Sequence, residues 1–151
     1  MIHLPRRINA AGISLVQHFE DISLSTYIDP AGVPTIGWGH TPAEMGQTIT
    51  FAVANLLLLG DLAQAEATVV ASTVLATTTD NQFSAMVSLC FNIGSGSFLS
   101  STVLRMHRSG TFQEAAAAFS MWNRAHIDGR LKVLPGLTKR RALERELYLD
   151  P

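Results

Sequence analysis

Residues 20–40 read EDISLSTYIDPAGVPTIGWGH, and the reading of this stretch decides the fold. Upstream, Ile8, Ala11, Leu15, Val16 and Phe19 recur at helical spacing and lead into Glu20. Downstream, Asp29 opens a Pro30-Ala31-Gly32 turn, and Thr35 follows inside a short β-like run. A strand over residues 34–40 places Thr35, Gly37 and Gly39 on one face and Ile36, Trp38 and His40 on the other. The first face would then carry one hydroxyl and little else, a wall along which a ligand can lie closely. Two carboxylates and a hydroxyl are thus expected to meet where a helix ends and a hairpin begins.

Outward from there, residues 9–20 read as a first helix. Leu24 to Thr50 reads as a small antiparallel sheet of two or three strands, punctuated by turn residues. Thr50 is placed to cap a long helix from Phe51 to about Leu75, with Leu58, Leu62, Ala65 and Val69 as its apolar stripe. Gly60 in its middle suggests close packing or a bend. Thr79 and Gln82 form a capping box for a helix whose inward stripe is Phe83, Met86, Val87, Cys90 and Phe91. A shorter helix is expected over roughly Ser97–Arg108. Thr111 with Glu114 makes a second capping box, for an alanine-rich helix reaching Trp122. Residues 123–137 read as loop. Thr138 opens a last helix to Leu149, with Leu143 and Leu147 inward and Arg140, Arg141 and Arg145 mostly outward.

Composition agrees with a globular chain. Of 151 residues, 47% are hydrophobic and 15% charged, which excludes disorder. Such a chain forms one domain or two small lobes and buries roughly 70% of its unfolded surface. The run Phe51–Leu59, interrupted by Asn55, is too short to span a bilayer, so no stable membrane insertion is expected. Arg6 and Arg7 are followed by no unbroken apolar segment, so no signal peptide is read. The single Cys90 has no partner for an internal disulfide, consistent with a reducing compartment. Residues 1–100 hold two basic and seven acidic side chains, whereas residues 101–151 hold nine basic and five acidic. Solvated surface explains that split as readily as a docking face for an anionic polymer. No nucleic-acid motif accompanies it.

The pattern Glu-x8-Asp-x5-Thr formed by Glu20, Asp29 and Thr35 resembles the bacteriophage-type lysozymes, the endolysins of glycoside hydrolase family 24. The likeness continues through TIGWGHT (35–41), GQTIT (46–50), DLAQAEATV (61–69), QFSAMVSLCFNIGSGSF (82–98) and PGLTKRRALERELYL (135–149), and so covers nearly the whole chain from Asn9. Two positions depart from it: Asp21, where glycine is usual, and Trp38, where tyrosine is common. The resemblance implies a mainly helical α+β, lysozyme-like domain over residues 1–151. A small β-sheet N-terminal lobe (roughly 9–60) and a larger helical C-terminal lobe (61–151) would be joined by the long helix, with a cleft between them.

It also implies a muramidase. Such an enzyme hydrolyses the bond between N-acetylmuramic acid and N-acetylglucosamine in bacterial peptidoglycan, with no cofactor or metal. Glu20 fits the general acid, because a helix end beside Phe19 and Ile22 favours a protonated carboxyl through desolvation and the negative end of the helix dipole. Asp29 would activate water or stabilise an oxocarbenium-like transition state, and Thr35 would hold that water. Gly37, Gly39, His40 and Asn92 are the candidates for substrate contact. Asn92 could read N-acetyl groups or merely cap its helix, and His40 more readily braces the hairpin than catalyses. His3, His18, His40, His107 and His126 show no metal-ligand spacing. The resemblance further implies accumulation in the host cytoplasm until a holin lesion releases the protein; with no heptad seam or long exposed sheet edge in the sequence, a monomer is expected. The rival readings are a lytic transglycosylase acting on the same bond and a peptidoglycan-binding module without catalysis, for which Asp21 is the suspicious change.

Overall fold

The computed structural model describes residues 4–151; His3 lies outside the described residues. The chain divides into two compact units. Val16–Ala63 forms one, and the residues up to Leu15 together with Gln64–Pro151 form the other.

The Val16–Ala63 unit takes the last turn of α1 (Ala10–Phe19), then β1 (Ser23–Ile28) and β2 (Pro34–Gly37), then the first half of α2 (Phe51–Ser72). The two strands are antiparallel, with Ser23 opposite Gly37, Tyr27 opposite Thr35, Ile28 opposite Pro34, and a bulge between the first two pairs. A third segment adds a rung, Ser25 bridging to Thr48 while Ile49 N–H donates to Leu24 O at 2.9 Å. The small sheet is therefore as expected, but β2 ends sooner than expected. Gly37 (φ 66°) and Gly39 (φ 84°) leave the β region, and the chain folds back so that His40 N–H reaches Ile36 O at 2.8 Å. The period-two alternation stops there, so Thr35, Gly37 and Gly39 do not form one bare face.

Thr50 caps α2 as its position suggests, Oγ1 accepting the Val53 N–H at 3.2 Å. Leu58, Leu62, Ala65 and Val69 are buried along one stripe. The helix stops at Ser72, and Ser72 and Thr73 hydroxyls bond back to carbonyls of its last turn. Gly60 has no neighbour within 4 Å of where a Cβ would stand, so it marks neither tight packing nor a break. At 22 residues, the whole helix is long and apolar enough to cross a membrane by length and composition, which the shorter run Phe51–Leu59 is not. Within this fold it is a tethered helix: Asn55, Asp61 and Glu66 along it each accept hydrogen bonds from elsewhere in their own unit.

The second unit is built on α3 (Asp80–Ile93), capped by the reciprocal Thr79–Gln82 pair. Every residue from Gln82 to Cys90 is buried, so this helix is central and buries more than the expected inward stripe, of which Phe91 alone is only half-buried. Around it lie α4 (Ser95–Leu99), α5 (Thr102–Arg108), α6 (Phe112–Ala118) with a 3-10 turn (Phe119–Trp122), and α7 (Pro135–Leu149), which packs against α3. The expected helix Ser97–Arg108 is two helices, because Ser101 takes an extended conformation and caps Leu104 N–H. Thr111 makes no cap with its side chain; its hydroxyl donates to Met106 O instead. Residues 123–137 are not loop. Arg124–Ile127 (β3) and Arg130–Val133 (β4) pair as a hairpin around Asp128 (φ 51°) and Gly129 (φ 74°), and α7 starts at Pro135 rather than Thr138.

The last helix also corrects the outward placement of its arginines. Arg140 and Arg141 are buried with Glu144, whereas Leu143 is 39% exposed. Ser88 Oγ donates to Glu144 Oε2 at 2.5 Å, Arg141 Nη1 donates to Glu144 Oε1, and Arg141 Nε donates to Trp122 O at 2.8 Å. Desolvation lowers the Arg141 guanidinium below its ordinary value while Glu144 opposes that shift.

Candidate active site

Glu20 continues the hydrogen bonding of α1, its N–H reaching Val16 O at 3.0 Å, so its backbone is held by the last helical turn. The residue is half-buried. Ile22, expected to help desolvate it, is instead exposed. The neighbour that the fold does provide is the turn after β2: a Cβ on Gly39 would stand 3.9 Å from Glu20 Oε2. A bare backbone therefore lies beside the carboxyl and leaves room for a ligand. Gly37 behaves differently. It is buried, and a Cβ there would meet Ala54 and Ile49 at 3.5 Å, so its α-carbon packs inward rather than lining a ligand wall.

Asp29 and Thr35 are joined through Val33. Asp29 Oδ1 accepts the Val33 N–H at 2.8 Å, and Thr35 Oγ1 donates to Val33 O at 2.9 Å. The Asp29 backbone N–H also meets Val33 O at 3.0 Å, which closes the Asp29–Val33 loop. Thr35 is buried, and its only proton is committed to a carbonyl, so towards a water the hydroxyl can offer lone pairs alone.

His40 braces the hairpin as expected. Its Nδ1 lies 2.9 and 3.0 Å from the two Asp61 oxygens on α2. Asn92 belongs to the other unit, where its Oδ1 accepts from Arg141 Nη2; that oxygen is committed to the buried charge cluster. The remaining described histidines have structural neighbours or surface positions. His107 is buried between Thr78 and Tyr148, His18 stacks edge-on to Phe19, and His126 is exposed on β3. Among the described residues no group of three or more His, Cys, Asp or Glu side chains could hold a metal ion. A broad depression of about 770 Å³ beside Ala11, Leu15, Leu143 and Glu146 contains none of the site candidates.

Three residues that sequence reasoning passed over tie this site together. Asn55 Oδ1 accepts from Trp38 Nε1 at 2.9 Å and from Gln17 Nε2 at 3.1 Å, and Asp61 anchors His40. The signal for Asn55 was present, since it is the polar interruption of the apolar run Phe51–Leu59.

The phage lysozyme family model matches residues 17–144, a span that contains Glu20, Asp29, Thr35 and the α7 charge cluster. The chain belongs to the phage lysozyme family. It is 37% identical over 142 residues to the endolysin of Acyrthosiphon pisum secondary endosymbiont phage 1, covering 93% of this chain and 97% of that one. It is 38% identical to the endolysin of Salmonella phage P22, covering 95% and 99%. In three dimensions it resembles the muramidase domain of SpmX from Asticaccaulis excentricus with a TM-score of 0.85 and 38% identity, over 97% and 100% of the two chains. As a member of the phage lysozyme family, the protein is an enzyme, a glycoside hydrolase of the lysozyme type with a mainly helical α+β fold.

Proposed function

We propose that the chain is a muramidase in which Glu20 is the general acid, Asp29 activates the attacking water and Thr35 orients it. The observation that carries the assignment is the shared clasp of Asp29 and Thr35 on Val33. It fixes a carboxylate and a lone-pair-offering hydroxyl relative to one another on one short loop. A water donating one hydrogen bond to Thr35 and the other to Asp29 keeps its own lone pair free for the anomeric carbon. As the C–O bond breaks, Glu20 protonates the leaving oxygen and Asp29 takes the proton from water, so charge balances across the step. The open backbone at Gly39 flanks the acid and, with His40 next to it in the turn, serves as a contact for the sugar. Asp29→Asn and Thr35→Ala are expected to be severely impaired yet folded.

The substrate is bacterial peptidoglycan, supported by the endolysin and muramidase relatives. The enzyme acts as a monomer that stays in the host cytoplasm until a holin lesion opens the way to the wall; detection in the periplasm without a holin would overturn that route. Mass spectrometry of muropeptides released in 18O-labelled water tests the reaction type. Hydrolysis places the label on the new reducing end. An unlabelled anhydro sugar would identify a lytic transglycosylase, and wall binding without any release would identify an inactive module.

A further inference from the structure

We propose that Asn55 is a positioning residue of the reaction: its side-chain oxygen fixes the helix end that carries Glu20 to the turn that lies against Glu20. Asn55 Oδ1 accepts two hydrogen bonds, one from Gln17 Nε2 at 3.1 Å and one from Trp38 Nε1 at 2.9 Å. Gln17 lies three residues before Glu20, so the two side chains leave the same side of the last turn of α1. Trp38 belongs to the Gly37–His40 turn, whose Gly39 stands beside Glu20 Oε2. One acceptor on α2 thus holds both the element that presents the carboxyl and the element that bounds its space.

The two donors reach Asn55 from two different segments of the unit, the end of α1 and the turn after β2. The turn leaves β2 through two glycines with positive φ, a backbone with wide conformational freedom. Glu20 closes its helix immediately before the chain departs for β1, where helices fray. Trp38 is further steadied by an edge-on contact with Phe51, ring centroids 6.2 Å apart, and His40 adds a second anchor on Asp61. Asn55 hydrogen-bonds to both sides. A shift of about 1 Å in a reacting group can lower turnover about 100-fold, so such a tether acts more on the chemical step than on sugar binding.

The inference rests on the reading of Glu20 as the acid, and its test separates the two. Asn55→Leu keeps the volume and removes the acceptor; Asn55→Asp keeps the acceptor. Turnover and KM are measured on a soluble peptidoglycan fragment. The indole N–H resonances are followed by 1H–15N NMR, with Trp122, the second of the two tryptophans, as internal control. In Asn55→Leu the Trp38 indole signal should move and exchange faster, kcat should fall on the order of 10- to 100-fold, and KM should stay within about threefold. Asn55→Asp should restore both the signal and the turnover. Where Asn55→Leu does not fold, the double variant Gln17→Met with Trp38→Phe removes both donors, leaves Asn55 in place and should show the same loss of kcat. A displaced indole signal with unchanged kcat would overturn the proposal, as would equal losses of kcat in the Leu and Asp variants. Full turnover by Glu20→Gln in the same assay would instead remove the acid assignment, and the indole signal would still report whether the tether exists.

Discussion

His40 Nδ1 lies 2.9 Å from one Asp61 oxygen and 3.0 Å from the other, so a single imidazole nitrogen is shared by a whole carboxylate. Both side chains are 28% exposed, which leaves the pair partly shielded from solvent. The turn that bounds Glu20 is hung on α2 by this contact and by the Trp38–Asn55 bond. Asp61→Asn removes the charge and keeps the shape. We expect a stability loss of about 1–2 kcal/mol, in the range for a hydrogen bond to a charged group at a half-exposed site. Urea denaturation at pH 6 measures it; an unchanged midpoint would show that the contact contributes nothing.

Glu144 compensates two buried guanidinium groups at once, Arg140 and Arg141, and accepts the Ser88 hydroxyl as well. Glu144→Gln leaves buried positive charge without its counter-ion. Breaking a buried pair from one side costs about 3–5 kcal/mol. We predict a loss of that order, or failure to accumulate folded protein, whereas Glu146→Gln on the exposed side of the same helix should be close to neutral. Thermal unfolding of the two variants compares them directly.

His107 is buried, and desolvation pulls its pKa from 6.5 to about 4. The groups that face it are the Thr78 hydroxyl and the Tyr148 hydroxyl, whose own pKa burial raises. Below pH 6.5 the unfolded chain binds a proton that the folded chain refuses until about pH 4. The stabilisation is therefore complete above pH 6.5 and is lost as pH falls through that window, to a total of roughly 3 kcal/mol. His107→Gln should show a shallower loss of stability between pH 7 and pH 4 in denaturant titrations. Parallel curves for the two proteins would contradict the assignment.

Much of this was legible because local chemistry and tertiary demand coincide. The α2 stripe from Leu58 to Val69 and the Thr79–Gln82 box follow from periodicity and capping alone. Other features were misread for identifiable reasons. Arg140 and Arg141 look like solvated surface because arginine is rarely buried, and Glu144 three to four residues on looks like an ordinary surface pair. The β3–β4 hairpin is exposed on both strands and lacks the alternating burial that normally reveals a strand, although Asp128-Gly129 is a strong turn signal. At the site, Glu20, Asp29 and Thr35 stood out through a spacing and flanking motifs that resemble the phage-type lysozymes. The turn that shapes the space beside Glu20 depends on two positive φ angles that no alternation pattern reports.

With Arg140 and Arg141 buried, the exposed cations of the C-terminal third are Arg105 and Arg108 on α5, Arg124, Arg130 and Lys132 on the hairpin, and Lys139 and Arg145 on α7. Charges of this kind are screened beyond about 8 Å at physiological ionic strength. Activity on intact, anionic walls should fall as salt rises, and the fall should flatten in Arg130→Gln/Lys132→Gln. Cleavage of a short uncharged chitin-type oligosaccharide should change much less. Equal salt sensitivity on both substrates would place the effect on the site or on stability instead of on attraction to the wall.

The central claim is that the Glu20 carboxyl delivers the proton to the leaving oxygen. Turbidity clearance of a cell-wall suspension by Glu20→Gln, with wild-type unfolding confirmed for the variant, tests it most directly. An amide has no proton to donate in that step, so clearance should drop at least about 100-fold while wall binding persists. Clearance at near wild-type rate by a folded Glu20→Gln protein would contradict the account.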